Sequence, residues 1–177
     1  MTKTIYIVEG EIEERFFDFI IQNDYIAPGR ITIFNLMQDE LRETNAIFTK
    51  RIGKVFAILD TDKTGIDNLM TLEHNVSMLK TVCQKHLSLL IQNQNFEDEL
   101  RYMLSCQSLQ ALCNKLGIRH CTKTDAKKFL SQSVHYKQLI STKQLQRYCT
   151  RQGSFLNLIP NSLQKLCVSI TPYLLRK

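Results

Sequence analysis

The feature that most constrains this chain is an alternation. Four short apolar runs, rich in β-branched residues, each precede a segment with helical spacing or a polar helical pattern. "KTIYIVE" (3–9) and "KVFAILD" (54–60) read as buried strands, and "ITIFNL" (31–36) and "LSLLIQN" (87–93) as two further strands. After the first, residues 11–23 set Ile12, Phe16, Phe19 and Ile20 on one helical face. "YIAPGR" is a turn, and 38–51 reads as a polar helix. Leu69, Leu72, Val76, Leu79 and Val82 mark a helix in 65–86, and 96–105 begins another. Beyond that the pattern is helical only, at about 108–116, 124–132, 135–150 and 161–170. Strands alternating with helices predict an α/β fold: an about four-stranded, mostly parallel sheet flanked by helices. Phe16, Phe17, Phe19 and Phe129 belong in its core rather than on a base-stacking surface. No repeat, low-complexity tract or linker divides the 177 residues. The reading is a core over 1–105 with a basic helical extension, 106–177, packed on it.

Charge separates those two parts. Residues 1–99 hold ten Lys and Arg against sixteen Asp and Glu, whereas 100–177 hold thirteen basic residues and one acid, Asp125. An acidic front and a basic rear suit a polyanion-binding protein that also carries a carboxylate cluster. A solvated basic helical surface is the plainer alternative. No apolar run is long enough to span a membrane, and the N-terminus lacks a signal-peptide pattern, so a cytoplasmic protein is expected. The six cysteines form no Cys-x-x-Cys pair and read as reduced thiols. His120-Cys121 has no second ligand pair at zinc spacing. His74, His86 and His135 read as surface or helix-face residues.

The strand ends carry the chemistry. The first strand runs into Glu9-Gly10, the third into Asp60-Thr61-Asp62, and the fourth is followed by Asn95-Phe96-Glu97. In a parallel α/β sheet, functional groups gather at the carboxyl ends of the strands, near a topological switch point. Acids brought together there repel one another unless neutralised, and a divalent cation with oxygen ligands is the usual neutraliser. Asp60 and Asp62 have i, i+2 spacing on an extended strand end. Glu9 and Glu13 have i, i+4 spacing at a helix start. Purely structural roles stand beside this one: Asp60 could cap the next helix, and Glu11, Glu13 and Glu14 could favour a helix dipole.

With a glutamate closing the first strand in "IVEG" (7–10) and Asp-x-Asp closing the third in "DTD" (60–62), the chain resembles the TOPRIM family over roughly residues 3–100. That family includes topoisomerases, primases, a ribosomal-RNA maturase, recombination proteins and OLD-type nucleases. The resemblance implies magnesium-dependent cutting or joining of phosphodiesters. Within it the chain looks most like the OLD and RloB-like branch of bacterial antiviral defence nucleases. "VEGEIEERFF" is similar to their Glu-x-x-x-Glu opening, which carries over to Glu9 and Glu13. "NQNFEDELRYML" resembles a later Phe-Glu segment and carries over to Glu97; "HCTKTD" resembles a lysine-bearing segment and carries over to Lys123. Asn95 stands where OLD nucleases more often have serine. "DTDKTG", with Gly65, is closer to the topoisomerase and primase form.

The expectation is hydrolysis with two magnesium ions, or manganese. Asp60 and Asp62 would hold one ion, with Glu9 as ligand or general base, and Glu13 and Glu97 would help hold the second. Lys123 would offset charge on the phosphate. Arg119, Lys127, Lys128, Arg147 and Arg151 would grip backbone phosphates. RloB-like relatives point to a structured RNA such as tRNA, and OLD relatives to DNA. The chain has no ATPase P-loop, so a partner ATPase or sensor would be a separate chain; a homo-oligomer fits the small size. Two alternatives remain. One is a TOPRIM module that binds nucleic acid or docks to a partner without cutting. The other is primase- or topoisomerase-like nucleotidyl transfer.

Overall fold

The computed structural model describes residues 4–43, 52–62, 64–118, 122–130, 132, 136–151 and 153–175; the side chains of Gln84, Lys85, Lys123 and Lys127 are outside that description. It is an α/β fold with a five-stranded, all-parallel sheet flanked by helices. The strands are β1 (Thr4–Val8), β2 (Arg30–Ile33), β3 (Ile52–Asp60), β4 (Cys83–Gln92) and β5 (Cys167–Val168). Their spatial order is β2-β1-β3-β4-β5. The crossovers after β1 and after β3 therefore run in opposite directions. That reversal is the topological switch point, and it lies between β1 and β3.

Side-chain alternation builds three layers. Tyr6, Val8, Phe56, Ile58 and Leu90 face α1 (Glu11–Gln22), α3 (Phe96–Met103), α4 (Leu109–Lys115), α5 (Lys123–Leu130), α6 (Tyr136–Leu139) and α7 (Thr142–Leu145). Ile5, Ile7, Val55, Ala57, Leu59, Leu89 and Ile91 face α2 (Ile66–Val82), together with Leu163 of α8 (Asn161–Gln164). The expected core aromatics hold: Phe16 and Phe17 are fully buried, Phe19 nearly so, and Phe129 packs at the edge of the same cluster.

The structure corrects the expected elements in several places. The sheet has five strands rather than four, because Cys167–Val168, expected within a helix, pairs with Leu89 and Leu90. The run 38–51 is not a helix over its described part, 38–43. There, side chains replace helical hydrogen bonding: Asn35 Oδ1 accepts the N–H groups of Met37 and Gln38. Buried Asn75 of α2 accepts Leu41 N–H at 2.7 Å and donates to the carbonyls of Leu36 and Asp39. Residues 83–86 are strand rather than helix, since Cys83 and His86 pair with Ile52 and Lys54 of β3. The helix expected over 135–150 is two single turns, because Ser141 starts α7 with a capping box to Gln144. Cys83, Cys106, Cys149 and Cys167 are free thiols, as expected, but Cys113 is disulfide-bonded.

His74 lies at the surface near Glu40, and exposed His86 hydrogen-bonds Tyr173 and Ser88. His120, Cys121 and His135 fall outside the described residues. Among the described residues, no helix is long and apolar enough to cross a membrane.

Asn75→Ala strips partners from three backbone groups at once. Orphaning buried groups costs about 1–3 kcal/mol each, so a loss of at least ~2 kcal/mol is expected in chemical denaturation. A denaturation midpoint equal to that of the wild type would show that Asn75 does not hold the 35–41 segment.

Candidate functional site

The sheet register sets the site. Ile7 pairs with Ala57, which brings Glu9, just past β1, level with the end of β3. Glu9 Oε1 accepts the backbone N–H of Asp60 at 3.0 Å. Its Oε2 accepts Asn35 Nδ2 at 2.9 Å, from the loop after β2. One carboxylate therefore ties three neighbouring strand ends across the switch point. On the other side, Thr61 binds the β3 end to the loop after β4. Its N–H donates to Gln94 O at 2.8 Å, its hydroxyl donates to Gln92 O, and it accepts Gln94 N–H.

The result is an open cleft of about 420 Å³ lined by Glu9, Glu13, Asn35, Asp60, Asp62 and Glu97. The five acids arrive on four supports, since Asp60 and Asp62 share the β3 end. Glu13 is in the first turn of α1, and Glu97 in the first turn of α3; both are buried. Gly10 leaves room for Glu13, since a Cβ there would lie 3.2 Å from Glu13 Oε2. Asp60 is half-buried at the strand end, while Asp62 is exposed at the rim. Asn95 caps α3, with Oδ1 accepting Asp98 N–H at 3.1 Å. Asp60 does not cap α2, whose N-cap is Gly65.

The crowding is visible in Asp60. Burial first, then the carboxylates of Glu13, Glu9, Asp62 and Glu97, push its carboxyl up to about 9. Its Oδ1 is buried and makes no hydrogen bond. The extension reaches the same place: Tyr136 of α6 is pushed up by burial and by Glu13 and Glu97, and its hydroxyl donates to Leu130 O.

Five carboxylates supply the hard oxygen donors that magnesium or manganese prefers, so the donor chemistry fits such an ion. Yet among the described residues no three His, Cys, Asp or Glu side chains are grouped to hold an ion as they stand. Binding would have to draw the acids closer.

The basic candidates divide. Arg147 and Arg151 line a second cavity on the other side of the β4–α3 loop, together with Arg101 and Tyr102. Lys128 is exposed on α5, away from both cavity linings. Arg119 lies outside the described residues, as do the side chains of Lys123 and Lys127. Locally, "TKTD" is a helix start: Thr122 Oγ1 accepts Asp125 N–H, and the Asp125 carboxylate accepts Thr122 N–H. Sequence reasoning missed Asn35 and Tyr136 and gave no role to Gly10 and Thr61, because their parts depend on contacts distant in sequence or on backbone space. It also missed Arg101 and Tyr102, although both stand inside a segment it singled out. No protein-family model, curated protein or solved structure matches the chain.

The raised Asp60 carboxyl has a consequence for stability. The unfolded chain releases this proton near the ordinary 3.8, whereas the fold keeps it to about 9. The folded state thus binds more protons in that window, and this contribution to stability falls as pH rises through it. Asp60→Asn removes that slope. Its melting temperature should gain on the wild type steadily from pH 5 to pH 9; parallel curves would show that Asp60 is ordinarily ionised.

Proposed function

We propose that this chain is a TOPRIM-type, magnesium- or manganese-dependent phosphodiesterase that cuts nucleic acid. The observation that carries the reading is the convergence of Glu9, Glu13, Asp60, Asp62 and Glu97 at the switch point, where burial and the neighbouring acids push the Asp60 carboxyl up. A fold gains nothing by crowding acids at an open cleft, and a site for a hard cation and a phosphate explains the cost. The strand-end positions of Glu9 and Asp60-Thr61-Asp62 support the family assignment, as does the parallel sheet.

In this mechanism a bound divalent cation supplies Lewis-acid polarisation of the phosphate and a more acidic water. The residues divide the remaining work. Glu9 is held on both oxygens by Asp60 N–H and Asn35, so it is an oriented anion with lone pairs to spare. Asp60 would release its proton to solvent and so offer a carboxylate oxygen to the ion. Asp62, at the rim, faces the incoming substrate. Glu13 and Glu97 would offer oxygens from the buried side of the cleft, each on the first turn of a helix. Lys123 and the basic extension would meet the phosphate chain, with RNA such as tRNA and DNA both as candidate substrates.

The test is a cleavage panel of supercoiled and linear DNA, single strands and total tRNA, with magnesium, manganese or EDTA. Cutting with a divalent ion is expected. It should drop by about 10²–10³-fold or more in Asp60→Ala and Glu9→Ala, the scale for losing one group that acts on developing charge. Binding without cutting of any substrate under either ion would replace this reading with a non-catalytic nucleic-acid module. Cutting that survives both substitutions would move the chemistry elsewhere.

A further inference from the structure

We propose that the second cavity is a phosphate-binding subsite that holds the same nucleic-acid strand next to the scissile group; this rests on the hydrolase reading above. The cavity is about 420 Å³, and three guanidinium groups, from Arg101, Arg147 and Arg151, line it. Two of them share one ring: the Arg147 and Arg151 guanidinium carbons lie 4.3 and 4.0 Å from the Tyr102 centroid. Like charges brought together over one ring repel, and the cation–π attraction offsets part of that. The carboxylates nearby neutralise the three charges only in part. Asp98, the one acid in the lining, is engaged with Arg101 at 2.6 Å. Glu99 is fully buried with its carboxyl raised by desolvation; it reaches Arg151 only at 3.4 Å and mainly accepts Cys149 N–H at 2.8 Å. Arg147 forms no ion pair among the described residues; it donates to Ser105 Oγ and also reaches the Tyr102 hydroxyl.

A further sign is that Arg101 Nε and Arg151 Nε are buried without hydrogen-bond partners. Arg101 is held by Asp98 and the Gln107 carbonyl, and Arg151 by Tyr102, Glu99 and the Asp98 carbonyl, so the groups are positioned without all their N–H donors being used. Convergent, under-neutralised arginines suit a phosphate, which accepts planar, paired N–H donors.

Position identifies the ligand. Asn93 and Gln94 line this cavity, and Asn95 and Glu97 line the acidic cleft, so one loop is the wall between them. A strand that crosses this loop presents backbone phosphates to both sides of it. Thr61 ties this wall to the Asp60 strand end, which fixes the two cavities relative to each other.

The experiment measures binding of a labelled single-stranded oligonucleotide, in EDTA, over a range of salt. Arg147→Gln should weaken binding by about tenfold or more, the loss for a charge-assisted hydrogen bond. It should lower the slope of log affinity against log salt by about 0.7, the value for one single-strand phosphate contact. Arg147→Lys should restore the slope but only part of the affinity, because the ammonium lacks the planar fork. Melting curves of both variants report on folding. Unchanged affinity and slope in folded Arg147→Gln would overturn the subsite. Inorganic phosphate separates the sources: competition only at high concentration supports a strand phosphate, whereas tight competition by free phosphate would overturn it in favour of a small-anion site. Failure of the hydrolase reading would look different. Cutting would be absent while Arg147-dependent binding stayed intact, which supports the subsite by itself.

Discussion

Glu9 accepts the backbone N–H of Asp60, and the cleft depends on that bond. It spans the point where the sheet's connections reverse direction, which is where a parallel sheet leaves a crevice. With Asn35 on its other oxygen, Glu9 locks the ends of β1, β2 and β3 into one edge. The same bond places an anion beside Asp60. Together with buried Glu13 and Glu97 and exposed Asp62, it leaves the Asp60 carboxyl protonated well beyond its ordinary range. The constraint is therefore double-edged. The tie that builds the edge creates the repulsion that a cation would relieve.

Such crowding needs a stiff support, and the rear of the chain supplies part of it. β5 extends the sheet beside β4, and Tyr148 accepts a hydrogen bond from fully buried Gln92, which pairs with Asp60 in the ladder. Glu99 of α3 accepts Cys149 N–H, fastening the region after α7 to the helix that carries Glu97. Tyr136 sits close enough to Glu13 and Glu97 to feel their charge. The basic rear is thus packed into the structure behind the acids, and it also places Arg147 and Arg151 over Tyr102.

Much of the site was legible in the sequence because it depends on local pattern plus one topological rule. Apolar β-branched runs located the four long strands, and the strand-end rule then brought Glu9, Asp60, Asp62 and Glu97 to one edge. The rest depends on partners far along the chain. β5 is two residues long and exists because β4 offers it an edge. Residues 38–43 have a helical composition, but Asn75, more than thirty positions away, captures their backbone groups. Ser141 divides 135–150 by capping, a signal the helical spacing masked. Asn35 has no motif to mark it; only the folded register sets it against Glu9. Arg101 and Tyr102 were in view, but the cavity they line is formed with Arg147 and Arg151, some 45 to 50 residues later.

The central claim is that Asp60 holds a proton that a divalent cation displaces. The direct measurement is calorimetric titration of magnesium at pH 7 in two buffers of different ionisation enthalpy, because a ligand carboxyl must lose its proton to bind. The account predicts saturable binding with release of close to one proton in the wild type, and no such release in Asp60→Asn. Magnesium binding with the same heat in both buffers, or none at all, would contradict it.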